Sequence, residues 1–455
     1  MESRKLMSDR IVIIGANAAG INAANAARKN NGKAEIILVE SDKSPAYSRC
    51  GIPYVLAKEI QKFNDLIIFP PAHYRMMKLD LRTETTAINV NPYEKSILLE
   101  NKDGKIEKVT YDSLILTTGA TPFILPIKGR DLPGVYAIRT LDDGRAIQNA
   151  MKNAKSAVII GAGFIGLEAA HAFIENKIQT TIIELQPSIT PTLFDYDMAY
   201  YAQKMIEATG IKMLMGSRVT EIVGEEKVTG VKIGGGDIID SDIVIMATGV
   251  RPNTNLARQI GCELGVTRAL KVNPRMQTTV SDVYSAGDCV ESRSMITGLP
   301  CLIQLGTSAV RMGKIAGTNA SGGYSTFPGV ICTAMTKIFN FEIGAAGLTE
   351  KQAQDIGFKT VSGTMTGNTR AEYFPGKRDI RVKIVAEPYM GRIMGAQIVG
   401  GEGVAQRVNM LSIAIQSEMS VRQLMNADTG YAPPLADTWE PVALAAEIAA
   451  RKIRR

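Results

Sequence analysis

A chain of 455 residues is too long for one hydrophobic core and fits roughly three domains of ordinary size. With 42 glycines, 45% hydrophobic residues and a single tryptophan, it has the texture of a glycine-rich α/β protein built around nucleotides. Five scattered cysteines (50, 262, 289, 301 and 332) with no CxxC pair argue against a disulfide framework or a zinc site. The only two histidines, His73 and His171, lie in unrelated settings, so no metal site is expected. The net charge of +7 is interspersed apart from the tail Arg451-Lys-Ile-Arg-Arg455, and no aromatic-basic pattern accompanies it. That tail reads as a solvated helix end rather than a nucleic-acid arm.

In chain order, Met1 to Asp9 has no signal-peptide apolar core, and no later run reaches membrane-spanning length, so a soluble cytoplasmic protein is expected. Arg10-Ile-Val-Ile-Ile-Gly15 reads as a buried parallel strand, followed by Gly15-Ala-Asn-Ala-Ala-Gly20, an alanine-rich helix to Lys29, and a strand ending on Glu40. This is the dinucleotide βαβ layout: a tight turn, a helix N-terminus for pyrophosphate and a carboxylate for ribose hydroxyls. Asn17 stands where the fingerprint has its second glycine.

Next comes Ser44-Pro-Ala-Tyr-Ser-Arg49-Cys50-Gly-Ile-Pro-Tyr54, the stretch that carries the candidate chemistry. Residues 54–60 are expected to be helical. Arg49 and that helix's N-terminus would both favour thiolate over thiol at Cys50, marking it as a candidate nucleophile. The run 83–99 and residues 107–111 read as short strands with turns at Asn91-Pro92 and Asp103-Gly104.

The opening pattern then returns in complete form. Ser156-Ala-Val-Ile-Ile-Gly161-Ala-Gly163-Phe-Ile-Gly166 is followed by a strand ending on Glu184. Each copy is also followed by a strand that ends in threonine-glycine: Leu114-Ile-Leu-Thr-Thr118-Gly119 and Val244-Ile-Met-Ala-Thr-Gly249. A motif repeated with its downstream partner is far more specific than a lone GxGxxG, and two bound dinucleotides are implied. In Ser285-Ala-Gly287-Asp288 the glycine permits close backbone approach and the carboxylate suits a polyol hydroxyl. Residues 302–317 read as a helix. After Ser325, residues 329–335, 381–386 and 393–399 read as strands and residues 404–416 and 441–452 as apolar helices, a composition suited to a dimer interface.

These motifs resemble the flavin-dependent pyridine nucleotide-disulfide oxidoreductases over essentially the whole chain. Within them the similarity is to the single-cysteine branch, the coenzyme A-disulfide reductases and related NADH oxidases and persulfide reductases. It rests on Cys50-Gly-Ile-Pro-Tyr54, Tyr373-Phe-Pro-Gly376, Tyr431-Ala-Pro-Pro434 and Trp439-Glu-Pro441. The resemblance implies two Rossmann-like domains and a C-terminal α+β dimerisation domain: FAD on 1–119 and 248–324, NAD(H) on 120–247, and the interface on 325–455. It implies that Gly15, Gly20, Glu40 and Asp288 bind FAD, and that Gly161, Gly163, Gly166 and Glu184 bind NADH in preference to NADPH. Asn17, Arg49, Thr118, Gly119, Gly249 and Gly287 count among the cofactor-binding positions.

Cys50 has no partner cysteine within two hundred residues and no histidine follows His171, so dithiol chemistry of the glutathione or lipoamide type is excluded. Ala18 stands where NADH peroxidases of the family carry a histidine. Ala46 and Arg49 replace the serine and asparagine usual in coenzyme A-disulfide reductases, which leaves the thiol substrate open. No rhodanese-like domain follows residue 455, which counts against a persulfide reductase. The expected reaction passes electrons from NADH through FAD to a small disulfide at Cys50, with coenzyme A a candidate thiol. Tyr431, helped by Tyr373, is expected to be the acid, acting within a homodimer whose site is shared across the interface. The alternatives are an NADH oxidase that reduces O₂ through a cysteine sulfenic acid, a polysulfide or persulfide reductase, and a non-catalytic redox-sensing flavoprotein.

Overall fold

The computed structural model describes residues 9–453. Residues 1–8, read above for a leader, and the last two arginines of the basic tail lie outside the described residues. The chain divides into two compact units, each assembled from three segments: 1–51, 62–121 and 250–330 form one, and 52–61, 122–249 and 331–455 the other.

The first unit is built on a parallel sheet in the order Val283–Ser285, Ser113–Leu116, Arg10–Ile14, Glu35–Val39, Leu79–Arg82. Its central strands are continuous apolar runs because both faces are covered: Ile11, Val12 and Ile13 are fully buried. The helix Ala18–Asn30 lies against the helix Gly306–Ala320 at very short range. A Cβ on Gly313 or Gly317 would sit 2.2 or 2.0 Å from the carbonyl oxygens of Ala19 and Ala23, so only glycine permits this contact. The expected helix at 302–317 thus begins four residues late. Pro300–Cys301 pairs with Ser292–Arg293, and Leu305 is still extended at φ −118°. Three further strands of this unit, Thr85–Asn91, Ser96–Asn101 and Ile106–Thr110, form an antiparallel sheet shifted by a residue or two from expectation.

The second unit repeats the parallel sheet, in the order Lys212–Leu214, Gln179–Ile183, Ser156–Ile160, Ile243–Met246, Val135–Tyr136. Residues 331–453 add an antiparallel sheet ordered Ala334–Ile338, Phe341–Gly347, Ile393–Gly400, Asp379–Ala386, Val361–Asn368. The helices Val404–Gln416 and Pro441–Ala450 pack on it. The strand expected from residue 329 starts only at Ala334, because Gly329 (φ +112°) and Cys332 (φ +65°) break the extended run. Within this unit Lys383 is buried among Asp195, Asp197 and Glu350 at 3.0 to 3.1 Å, which ties the strand Asp379–Ala386 to the chain around the second nucleotide fold.

Candidate functional site

Both fingerprints adopt one local geometry. Gly15 and Gly161 turn at φ +99° and +109°, and a Cβ on Gly20 or Gly166 would fall 1.7 or 2.1 Å from the carbonyl oxygen of Gly15 or Gly161. Helix and strand are therefore in backbone contact at both turns. The carboxylates that close the second strands fold back onto these turns. Glu40 accepts from the Ala16 and Asp42 amides at 2.8 and 3.1 Å, and Glu184 accepts from the Ala162 and Gln186 amides, both at 2.8 Å. A carboxylate has about four acceptor positions, so each retains capacity for ribose hydroxyls.

Asn17 corrects a concern raised by the sequence. Its φ of −89° is open to any residue, so the position needs no glycine for backbone reasons. Gly163, its counterpart, is likewise extended at φ −75°, and among the described residues no atom would come within 4 Å of a Cβ there. Asn17 caps its helix by accepting from the Ala18 amide, while its buried Nδ2 has no partner among the described residues. A buried, unsatisfied donor at a helix N-terminus fits an anionic pyrophosphate. Gly287 (φ +88°) comes within 3.0 Å, at Cβ distance, of the Ala19 side chain, so the SAGD turn, with Asp288 next to it, abuts the same fingerprint helix. Gln304 donates to the Asp288 carbonyl at 3.2 Å. In this unit Thr118 and Asn253 exchange two hydrogen bonds at 2.6 and 2.9 Å, fixing the first threonine-glycine turn. In the other, Gly249 turns at φ +95° and accepts from the Phe123 amide. These features fit FAD at the first fingerprint and a nicotinamide dinucleotide at the second; the flavin supplies hydride and electron chemistry when bound.

Cys50 is the one exposed cysteine of the five. It does not precede a helix at 54–60. Arg49–Gly51 is a 3₁₀ turn that runs directly into the helix Ile52–Leu56, which tolerates Pro53 in its first turn and stops before Lys58 at φ +65°. Five residues carry little macrodipole, so the helix favours a thiolate less than the sequence suggested. Arg49 is steered by two groups the sequence reading missed: Asp42, 3.8 Å away, and the ring of Tyr47, 5.5 Å from its guanidinium carbon. Tyr47 donates to Asp42 at 3.0 Å, and burial, ahead of these charges, raises its pKa. Asp42 sits two residues past Glu40, so the loop that closes the first fingerprint also fixes the residue before Cys50. A Cβ on Gly51 would lie 2.3 Å from a Leu66 methyl, so a larger residue there would displace that side chain.

In the second unit Tyr373 and Tyr431, remote in sequence, come together. The Ala371 amide donates to the Pro433 carbonyl at 3.2 Å, which brings the two turns side by side, and the hydroxyls meet at 2.7 Å. Both side chains are exposed, at 73% and 47%. The hydrogen bond to Tyr431, then partial desolvation, raises the pKa of Tyr373. Another group missed from the sequence is Glu168, half-buried on the second fingerprint's helix. Its signal was a lone carboxylate in Phe164-Ile-Gly-Leu-Glu-Ala-Ala170. Among the described residues no cluster of acidic, histidine or cysteine side chains could hold a metal ion, and no helix is long and apolar enough to cross a membrane.

Comparison with known proteins agrees with this geometry. Residues 9–313 match the family model "Pyridine nucleotide-disulphide oxidoreductase", and residues 333–443 match its dimerisation domain. An NADH oxidase of Methanocaldococcus jannaschii is 42% identical over 98% of this chain and 99% of its own length. A CoA-dependent NAD(P)H sulfur oxidoreductase of Pyrococcus furiosus is 33% identical over 96% and 98%. The solved structure of an NAD-dependent persulfide reductase from A. fulgidus superposes with a TM-score of 0.94 at 34% identity, covering 97% of this chain and 83% of that one. The chain belongs to the pyridine nucleotide-disulphide oxidoreductases and is an NAD(P)H-dependent flavin oxidoreductase.

Proposed function

We propose that this enzyme uses NADH to reduce a low-molecular-weight disulfide, of the coenzyme A-disulfide type, through Cys50. The single observation that carries the reading is the exposure of Cys50 beside Arg49, while the other four cysteines are buried or half-buried. The Cys50 thiolate attacks one sulfur of RSSR, forming Cys50–S–S–R and releasing RS⁻; two electrons from NADH then cleave that bond, releasing the second RS⁻ and restoring the thiolate. The sum is NADH + H⁺ + RSSR → NAD⁺ + 2 RSH. Segments 1–119 and 248–324 hold FAD through Gly15, Asn17, Gly20, Glu40, Gly287 and Asp288. Segment 120–247 holds NADH through Gly161, Gly163, Gly166 and Glu184, and 325–455 forms the interface of a homodimer. The exposed Tyr373–Tyr431 pair hydrogen-bonds or protonates the departing thiolate across that interface.

A second reading, an NADH oxidase that reduces O₂ through a Cys50 sulfenic acid, is favoured by the name of the Methanocaldococcus relative. One experiment separates them. The purified holoenzyme is reduced anaerobically with NADH, and its reoxidation by coenzyme A disulfide, polysulfide and air is compared. Fast reoxidation by coenzyme A disulfide supports the proposal. Fast reoxidation by air alone overturns it.

A further inference from the structure

Residues 52–61 belong to the second unit, although the chain on both sides of them belongs to the first. This ten-residue segment begins two positions after Cys50, and its docking is specific. Asn176, at the end of the helix Phe164–Glu175, donates its Nδ2 to the Leu56 carbonyl at 2.8 Å. His171 on that helix lies 3.7 Å from the Glu59 carboxylate. Between these helices and the strand Ala334–Ile338 runs a third connection: Thr336 Oγ1 donates to Glu168 Oε1 at 2.5 Å, and the Tyr54 hydroxyl is 3.2 Å from Thr336 Oγ1.

We propose that Glu168 is a positioning residue whose protonation, carried through Thr336 to Tyr54, sets how firmly the segment after Cys50 is docked on the nucleotide unit's fingerprint helix. Thr336 has one proton. While it is given to an ionised Glu168, the lone pairs of Thr336 are left for the Tyr54 proton, so the chain has one consistent direction and its last bond is charge-assisted. Burial of the carboxylate outweighs that bond, so by linkage protonating Glu168 favours the docked state and ionising it loosens the segment. Desolvation raises the pKa of Glu168 to about 7, against which the Thr336 hydrogen bond works, so the change falls within the physiological range. The neighbouring charges do not mask it. Glu59 from the segment and Glu175 from the helix face His171, whose pKa burial lowers, and Lys337 lies beyond, on the strand. Tyr54 itself stays a hydroxyl, its pKa raised chiefly by burial and then by Glu168.

The docking stands independently of what Cys50 does, whereas its effect on turnover rests on the role proposed for Cys50, so two measurements are paired. Hydrogen exchange of peptides covering 54–60 in the holoenzyme, corrected for intrinsic rates, should show several-fold stronger protection at pH 6 than at pH 8. Glu168→Gln should abolish that difference, Thr336→Val should weaken protection at both pH values, and Thr336→Ser should restore the wild-type profile. Disulfide turnover should show an apparent pKa near 7 that disappears in Glu168→Gln. A pH-dependent difference that survives Glu168→Gln, or equal protection at both pH values in the unmodified enzyme, overturns the proposal. Exchange that behaves as expected while turnover shows no such pKa leaves the docking intact and counts against the role of Cys50.

Discussion

The hydroxyl of Tyr373 lies 2.7 Å from that of Tyr431, 58 residues further along the chain. Two phenols so placed share one proton between their oxygens and leave the other to give away, and the tie raises the pKa of Tyr373. Tyr431→Phe should leave NADH-dependent flavin reduction unchanged and slow disulfide turnover at least tenfold, about 1.4 kcal/mol in the barrier. Tyr373→Phe should act in the same direction, and the double variant should lose less than the product of the two, because they act as one unit. Wild-type turnover and an unchanged pH profile in Tyr431→Phe would show the pair to be packing.

Cys50→Ser should retain FAD and accept hydride from NADH while losing disulfide reduction by orders of magnitude, since a serine hydroxyl cannot form the mixed disulfide. Stopped-flow flavin bleaching read beside steady-state turnover separates the two steps. Near-wild-type turnover in the serine variant is incompatible with a nucleophilic role.

Glu184 is fixed by the Ala162 and Gln186 amides at the end of its strand, and in the proposed NADH site it would offer acceptors to ribose hydroxyls and repel a 2′-phosphate. kcat/KM should favour NADH over NADPH by tenfold or more. Equal kcat/KM with the two nucleotides would mean that selection is made elsewhere.

The buried Lys383 cluster predicts acid sensitivity. Backbone amides, Gln397 and Lys383 outweigh desolvation and lower the pKa of Asp195. A lowered folded pKa contributes stability above the unfolded value of about 3.9, and this contribution is lost as pH falls through the folded value. Lys383, whose pKa its carboxylates raise against desolvation, contributes below about pH 10.4 and so holds constant through that window. Lys383→Met would leave three carboxylates uncompensated and should cost about 3 to 5 kcal/mol. Thermal unfolding at pH 7 checks it; a variant as stable as the parent refutes it.

The parts of the fold that periodicity and glycine spacing govern were legible in the sequence. The strands ending at Ile14 and Ile160, their fingerprint helices and the helix Val404–Gln416 lie where apolar runs and glycine spacing put them. The misplacements have tertiary causes. The helix from Gly306 starts late because a short hairpin holds the preceding chain extended, and positive φ at Cys332 is invisible to a propensity. Glycine at position 17 proved unnecessary for the backbone. Asp42 and Tyr47 beside Arg49, and Thr336 beside Glu168, are contacts that no local spacing encodes, and that is why they were missed.

The close packing of Gly313 and Gly317 on Ala19 and Ala23 also bears on synthesis at the ribosome. The alanine face of the helix Ala18–Asn30 emerges early, yet the helix that covers it, and the edge strand Val283–Ser285, leave the exit tunnel roughly three hundred residues later. At about 5 to 20 residues per second that interval is some tens of seconds. During it the first nucleotide fold presents an uncovered stripe of small apolar side chains, and for its first part the segment 52–61 awaits the helix Phe164–Glu175. A nascent chain of this design needs shielding in that interval, and a truncation near residue 249 would make the exposure permanent.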